Sequence, residues 1–164
     1  MRDIIYKAIG TIHSPFREPK GMPIQPVGAK GIKGLVVVEE EYLEGLSDLE
    51  GFSHLILLYH FHLSSGHKLR VTPFLDDHER GVFATRAPSR PNPIGLSVVR
   101  LEKVEGNRLF IKDVDIVDGT PLLDIKPYVA DFHVRQGVRI GWLEKRSDQA
   151  VSKRSDDRFQ NEGN

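Results

Sequence analysis

Ile94-Gly-Leu-Ser-Val-Val-Arg-Leu-Glu-Lys-Val104, then Glu105-Gly-Asn107, then Arg108-Leu-Phe-Ile-Lys-Asp-Val-Asp-Ile-Val117 is the stretch from which the fold is read. Two apolar, β-branched runs flank a polar connection containing glycine and asparagine, residues that tolerate the positive φ of a tight hairpin turn. The pattern predicts two antiparallel strands, Ile94 to Val104 and Arg108 to Val117. Immediately upstream stands Arg86-Ala-Pro-Ser-Arg90-Pro-Asn92-Pro93. Each proline fixes its own φ and pushes the preceding residue toward extended geometry, so Ser89 to Pro93 reads as a stiff loop with Asn92 held in a narrow range. A stiffened loop carrying arginines and an amide holds donors against a ligand at low entropic cost. The plainer reading is a rigid connection with solvated arginines.

Working outward, Ser53 to Leu63 is the most apolar run and reads as a central strand buried on both faces. Leu69 to Phe74 and Gly81 to Thr85 are strand candidates joined by an acidic turn at Asp76-Asp77. Ile4 to Ile12 and Leu35 to Glu39 read as strands, and Tyr42 to Glu50 as a short helix stopped by Gly51. Glu18 to Gly34 holds three prolines and four glycines, too long and irregular for a simple turn, and is expected to be a binding loop. Asp118-Gly-Thr-Pro121 is a turn before a strand at Leu122 to Ile125. Ile140 to Leu143 is a last strand or a docking segment, and the polar chain from Glu144 onward is expected to fray. Many short strands, frequent turns and one helix predict an all-β fold, a barrel or sandwich, with residues 1–134 as the domain and 135–164 as a polar extension.

The 164 residues suffice for one domain with a real core. No cysteine is present, which excludes disulfides and thiolate chemistry. Formal net charge is zero, so an overall basic nucleic-acid binder is not indicated. The zero conceals segments: residues 35–60 carry six acidic and no basic side chains, whereas residues 1–34 carry six basic and two acidic ones. No apolar run reaches membrane-spanning length and the N-terminus lacks a signal-peptide core, so the expected location is the cytoplasm, with no membrane partner.

Three clusters bear chemistry. His60 and His62, two apart on a predicted strand, share a face and could ligate a metal, but no third ligand completes a site, and none is expected. Asp113, Asp115 and Asp118 crowd beside the hairpin; packed carboxylates have raised pKa values and can serve as acid or base. Lys126-Pro-Tyr128 sets a cation and a phenol at a rigid bend, suited to phosphate contact or base stacking.

Five motifs in order, Ile9-Gly-Thr-Ile-His13-Ser-Pro-Phe16, Gly51-Phe-Ser-His54-Leu55, Gly81-Val-Phe-Ala-Thr-Arg86, Arg90-Pro-Asn-Pro-Ile-Gly95 and Asp118-Gly-Thr-Pro-Leu-Leu-Asp124-Ile-Lys-Pro-Tyr128, resemble the TsaA-like/TrmO family over about residues 5–130. The resemblance implies a single small β-barrel that binds S-adenosylmethionine, works as a homodimer and methylates N6 of threonylcarbamoyladenosine next to the tRNA anticodon. It implies cofactor contacts from Pro23, Ile24, Gln25, His62, Leu63, Arg86, Leu96, Lys112, Asp113, Val114 and Asp115. Arg90, Asn92, Asp118, Lys126 and Tyr128 become substrate-side candidates, and His62, Asp118 and Asn92 catalytic ones. Many members carry a further C-terminal domain; here a polar tail with Arg135, Arg139, Lys145 and Arg146 would stand in for it. A non-catalytic RNA- or ligand-binding barrel and a metal-dependent barrel enzyme built on His60 and His62 are the alternative readings.

Overall fold

A computed structural model describes residues 2–160. Eight strands form: β1 (Gly10–His13), β2 (Lys33–Val38), β3 (His54–His60), β4 (Arg70–Val71), β5 (Arg80–Gly81), β6 (Ile94–Glu105), β7 (Arg108–Lys112) and β8 (Thr120–Pro127). Six of them close into an antiparallel barrel in the order β1-β2-β7-β6-β3-β8, and β4 with β5 makes a separate two-stranded ribbon. Closure leaves no unpaired sheet edge in the barrel.

The hairpin that predicts the fold is its longest element. Glu105 pairs with Arg108 across a two-residue turn in which Gly106 takes φ +58°. β6 faces inward with Val99 and Leu101, which meet Leu55, Leu57, Leu109, Ile111 and Leu122 in the barrel core. β3 is buried on its inner face throughout and on its outer face only at Ile56. Leu55, Leu57 and Tyr59 point in, and Leu58 and His60 lie partly exposed outside, as a closed barrel with one interior requires.

Several boundaries differ from expectation. The first strand starts at Gly10, leaving Ile4, Ile5 and Tyr6 exposed. The short helix expected over Tyr42 to Glu50 is present as 3₁₀ helix, in two pieces, Glu40–Leu46 and Leu49–Gly51, separated by Asp48 at φ +65°. The described residues hold a single α-helix of four residues, Ala130–His133. β4 and β5 are two residues each because the turn between them is built on a side chain. Buried Asp76 accepts from the Asp77 and His78 amides and from Arg80 Nε at 2.7 Å.

The largest correction concerns the C-terminal segment, which docks up to residue 160 instead of fraying. Trp142 Nε1 donates to Ala84 O at 2.8 Å, and Arg146 reaches both Leu75 O and the Asp76 carboxylate. The 3₁₀ turn Ser147–Val151 packs on its counterpart Pro26–Ala29. Buried Ser155 exchanges backbone hydrogen bonds with Gly21 and Met22, and its hydroxyl donates to Pro19 O. A polar sequence can dock in this way because the contacts are hydrogen bonds to loop carbonyls, which leave no apolar pattern to read.

Candidate functional site: a cavity at the barrel rim

A cavity of about 310 Å³ opens where β3 and β6 reach the end of the barrel. Its floor is set by the pairing of Tyr59 with Gly95. A Cβ on residue 95 would stand 2.2 Å from the Tyr59 ring, so only glycine lets the ring lie across β6. Held there, and edge-on to Phe61, Tyr59 reaches Ser97 Oγ at 3.0 Å. Ser97 in turn donates to Asp115 Oδ1 at 2.6 Å. The serine has one proton, given to the carboxylate, so the phenol must be the donor to Ser97.

Burial pushes the Asp115 carboxyl up to about 6, against the opposing influence of the Ser97 hydrogen bond and the Arg86 charge. Burial and the nearby Asp115 also raise Tyr59, which stays a phenol at neutral pH. Arg86 donates through Nη1 to Gln25 Oε1 at 2.9 Å, tying the long loop to the cavity.

His62 lies past the end of β3, where the chain turns and its N–H bonds back to His60 O at 2.8 Å. The two histidines therefore do not share a strand face. The Thr120 hydroxyl donates its proton to Val117 O at 2.7 Å, so its contact with His62 Nδ1 at 3.3 Å is one in which the imidazole donates. That selects the tautomer with the lone pair on Nε2. Burial, and then the neighbouring His60, lower the His62 pKa and keep the ring neutral at pH 7. A neutral imidazole with a free lone pair is a proton acceptor.

Of the residues singled out by resemblance, Pro23, Ile24, Gln25, His62, Leu63, Arg86, Leu96, Asp115 and Arg90 line this cavity. Arg90 is spent structurally, since its Nη1 donates to the carbonyls of Val82, Thr85 and Ala87 and so clamps the loop that carries Arg86. The others lie outside. Lys112 pairs with Glu102 at 2.7 Å, Asp113 accepts from the Gly31 amide, and Val114 is buried in the barrel core. Asp118 accepts from the Ser14 amide and pairs with His13; these bonds outweigh burial and hold its carboxyl below the usual range. Asn92 is exposed in the turn before β6. Lys126 pairs with Asp124 at 2.7 Å, and Tyr128 stacks on His133. His62 is thus not joined by Asp118 or Asn92 in this cavity.

Sequence reasoning missed Tyr59, Thr120 and the C-terminal residues Ser155, Asp156, Phe159 and Gln160, which also line the cavity, and Ser97, which stands behind it between Tyr59 and Asp115. For Ser97 a signal existed, a polar residue at an inward position of an otherwise apolar strand. Among the described residues no group of three or more His, Asp or Glu side chains is placed to hold a metal ion, and no helix is long and apolar enough to cross a membrane.

Comparison with known proteins gives a consistent picture. A probable S-adenosyl-L-methionine-binding protein of Pyrococcus abyssi is 60% identical over 156 residues, 95% of this chain and 85% of that protein. The mouse tRNA (adenine(37)-N6)-methyltransferase is 38% identical over 146 residues, 84% of this chain but only 34% of the mouse protein. The crystal structure of TrmO from Pseudomonas aeruginosa superposes with a TM-score of 0.72 at 40% identity, covering 86% of this chain and 63% of that one. Residues 11–134 match the model of the tRNA-methyltransferase O N-terminal domain, and the chain belongs to that family.

Proposed function

We propose that this chain binds S-adenosylmethionine in the rim cavity and transfers its methyl group to N6 of an adenine beside the tRNA anticodon, with threonylcarbamoyladenosine as the base recognised. The observation that carries the reading is the convergence of Asp115, Arg86 and His62 on one partly apolar cavity. The residues present fit such a ligand. A carboxylate that ionises above about pH 6 suits a sulfonium, a guanidinium suits an amino-acid carboxylate, and the volume falls at the small end of ligand pockets. Pro23, Ile24, Gln25, Leu63 and Leu96 supply the apolar and amide walls. The parent name of the mouse relative motivates the tRNA substrate, although the chain spans about a third of that enzyme.

S-adenosylmethionine supplies a methyl group on a positively charged sulfur, open to in-line displacement by a nitrogen. The protein's part is positioning, exclusion of water and removal of one proton. His62 Nε2 takes the N6 proton as the nitrogen becomes methylated, while Nδ1–H stays on Thr120 and fixes the ring. Asp115 stabilises positive charge, and Tyr59 through Ser97 orients its carboxylate. Asn92, Lys126 and Tyr128, on the outer surface, are the RNA-facing candidates, and a tRNA substrate would locate the protein in the cytoplasm.

We infer a homodimer from the outward faces of β3 and β6. Ile56, Leu58 and His60 lie opposite Val98, Leu96 and Ile94, with Ile94 42% and Leu96 46% exposed, an apolar surface continuous with the cavity. Light scattering that returns a monomer mass at micromolar concentration would refute it. Calorimetric titration with S-adenosylmethionine tests the central reading. One saturable site per chain, followed by methyl incorporation into tRNA carrying threonylcarbamoyladenosine, is the expected result. A folded sample that binds neither ligand nor methylates tRNA overturns it, and binding without transfer favours the non-catalytic barrel.

A further inference from the structure

The cavity has two walls of different origin. The barrel side contributes Tyr59, His62 and Asp115; the other wall contains Met22, Phe74 and the C-terminal residues Asp156, Phe159 and Gln160. The last three lie beyond the family domain, which ends at residue 134. They are held firmly. Ser155 is tied to Met22, and Phe159 meets Phe74 edge-on at 5.0 Å. Arg158 caps the Phe74 ring at 5.3 Å while donating to Pro73 O at 2.7 Å and to the Asp156 carboxylate. The backbone of Gln160 is fixed by its N–H to Asp157 O at 2.9 Å.

Against this apolar wall stands one unmet polar group. Gln160 Nε2 is buried without a hydrogen-bond partner among the described residues. A buried amide donor left unpaired is costly, and a group in that state beside a cavity is matched by what enters the cavity. A carboxamide offers a donor and an acceptor in one plane, the complement of the adenine edge, where a ring nitrogen accepts and N6 donates. The edge-on Phe159–Phe74 pair supplies one aromatic surface on which a planar base can rest.

We propose that Gln160 reads the adenine of the nucleoside cofactor, with the Phe159–Phe74 pair forming the apolar surface beside the base, so that the C-terminal segment is a specificity-determining wall of the cavity. This rests on the cavity being the cofactor site. The base-recognition element then lies outside the family domain, while the charged groups that meet the methionine part lie within it.

The test uses the full chain, without RNA, and two probes: S-adenosylhomocysteine and its 1-deazaadenosine counterpart, in which a C–H replaces the ring nitrogen that accepts from Nε2. Wild type is expected to prefer the adenine probe by about tenfold, the worth of one satisfied buried hydrogen bond. Gln160→Leu should weaken the adenine probe about tenfold and bring the two probes within twofold of each other. Gln160→Glu, close in shape, should also lose the preference, and unchanged thermal midpoints show that both variants are folded. If wild type binds neither probe, the cofactor reading itself has failed. If wild type binds and both variants retain affinity and preference, Gln160 does not read the base. If wild type binds both probes equally, the amide does not read the cofactor base and the proposal is overturned.

Discussion

Replacing Asp115 with asparagine should make the empty protein more stable at neutral pH while weakening the cofactor site. The side chain accepts a hydrogen bond from Ser97 at 2.6 Å, which an asparagine oxygen can also accept, so the change removes mainly the ionisation. Burial raises the folded-state pKa from 3.8 to about 6, so the native protein binds more protons than the unfolded chain between those values. Stability therefore falls as pH rises through that window and stays lower above it. The shift of about two units corresponds to at most about 3 kcal/mol, and water entering the cavity reduces it. In Asp115→Asn this penalty is absent. Urea unfolding at pH 4, 5, 6 and 7.5 should show the two proteins alike at pH 4 and the variant ahead by roughly 2–3 kcal/mol at pH 7.5. On the same samples S-adenosylmethionine affinity should drop, and the uncharged S-adenosylhomocysteine should lose less. A stability difference that does not change with pH, or a variant less stable at pH 7.5, would refute the account of a buried carboxylate held charged for a cationic ligand.

His62→Ala should lower methyl transfer by about 10² to 10⁴ with cofactor affinity changed only severalfold, measured by single-turnover transfer to tRNA. Because the His62 pKa lies below the ordinary imidazole value, the wild-type rate at saturating cofactor should rise with pH along a limb whose midpoint is under 6.5, a limb kept in Asp115→Asn and lost in His62→Ala. Gly95→Ala drives a Cβ into the Tyr59 ring and should cost about 1–3 kcal/mol by thermal or urea unfolding, with loss of cofactor binding as the ring shifts. Asp76 is held below the usual carboxylate range, burial being outweighed by hydrogen bonds from Arg80, Asp77 and His78. Its contribution is present above the unfolded value of 3.8 and is lost as pH falls below it. Asp76→Asn should therefore lower the thermal midpoint at pH 7 and shrink the difference toward pH 2, and limited proteolysis should then cut after residue 140.

The family resemblance proved sound, and with it the barrel, because its motifs are glycine, proline and short polar signatures whose backbone demands are local. The strands of the 94–117 hairpin were legible for the same reason: alternating burial and a positive-φ glycine are properties of adjacent residues. Where the elements are broken or shortened, in the 3₁₀ helix near Tyr42 and the strands around Asp76, a left-handed aspartate or a buried carboxylate interrupts the regular pattern, and neither leaves a periodic trace.

The residue types at the site, an arginine, a histidine, a carboxylate and a proline-stiffened loop, are determined by the sequence alone, as is the absence of thiol chemistry. Which of three neighbouring aspartates enters the cavity is decided only by the tertiary structure. Asp113 turns to Gly31, Asp118 to Ser14, and Asp115 to Ser97, because each is captured by a partner at least 18 positions away. The same holds for the C-terminal segment. Its polar residues carry no core pattern, and they become a cavity wall only because the 19–29 loop and the 70–87 ribbon present carbonyls and aromatic rings for them to meet.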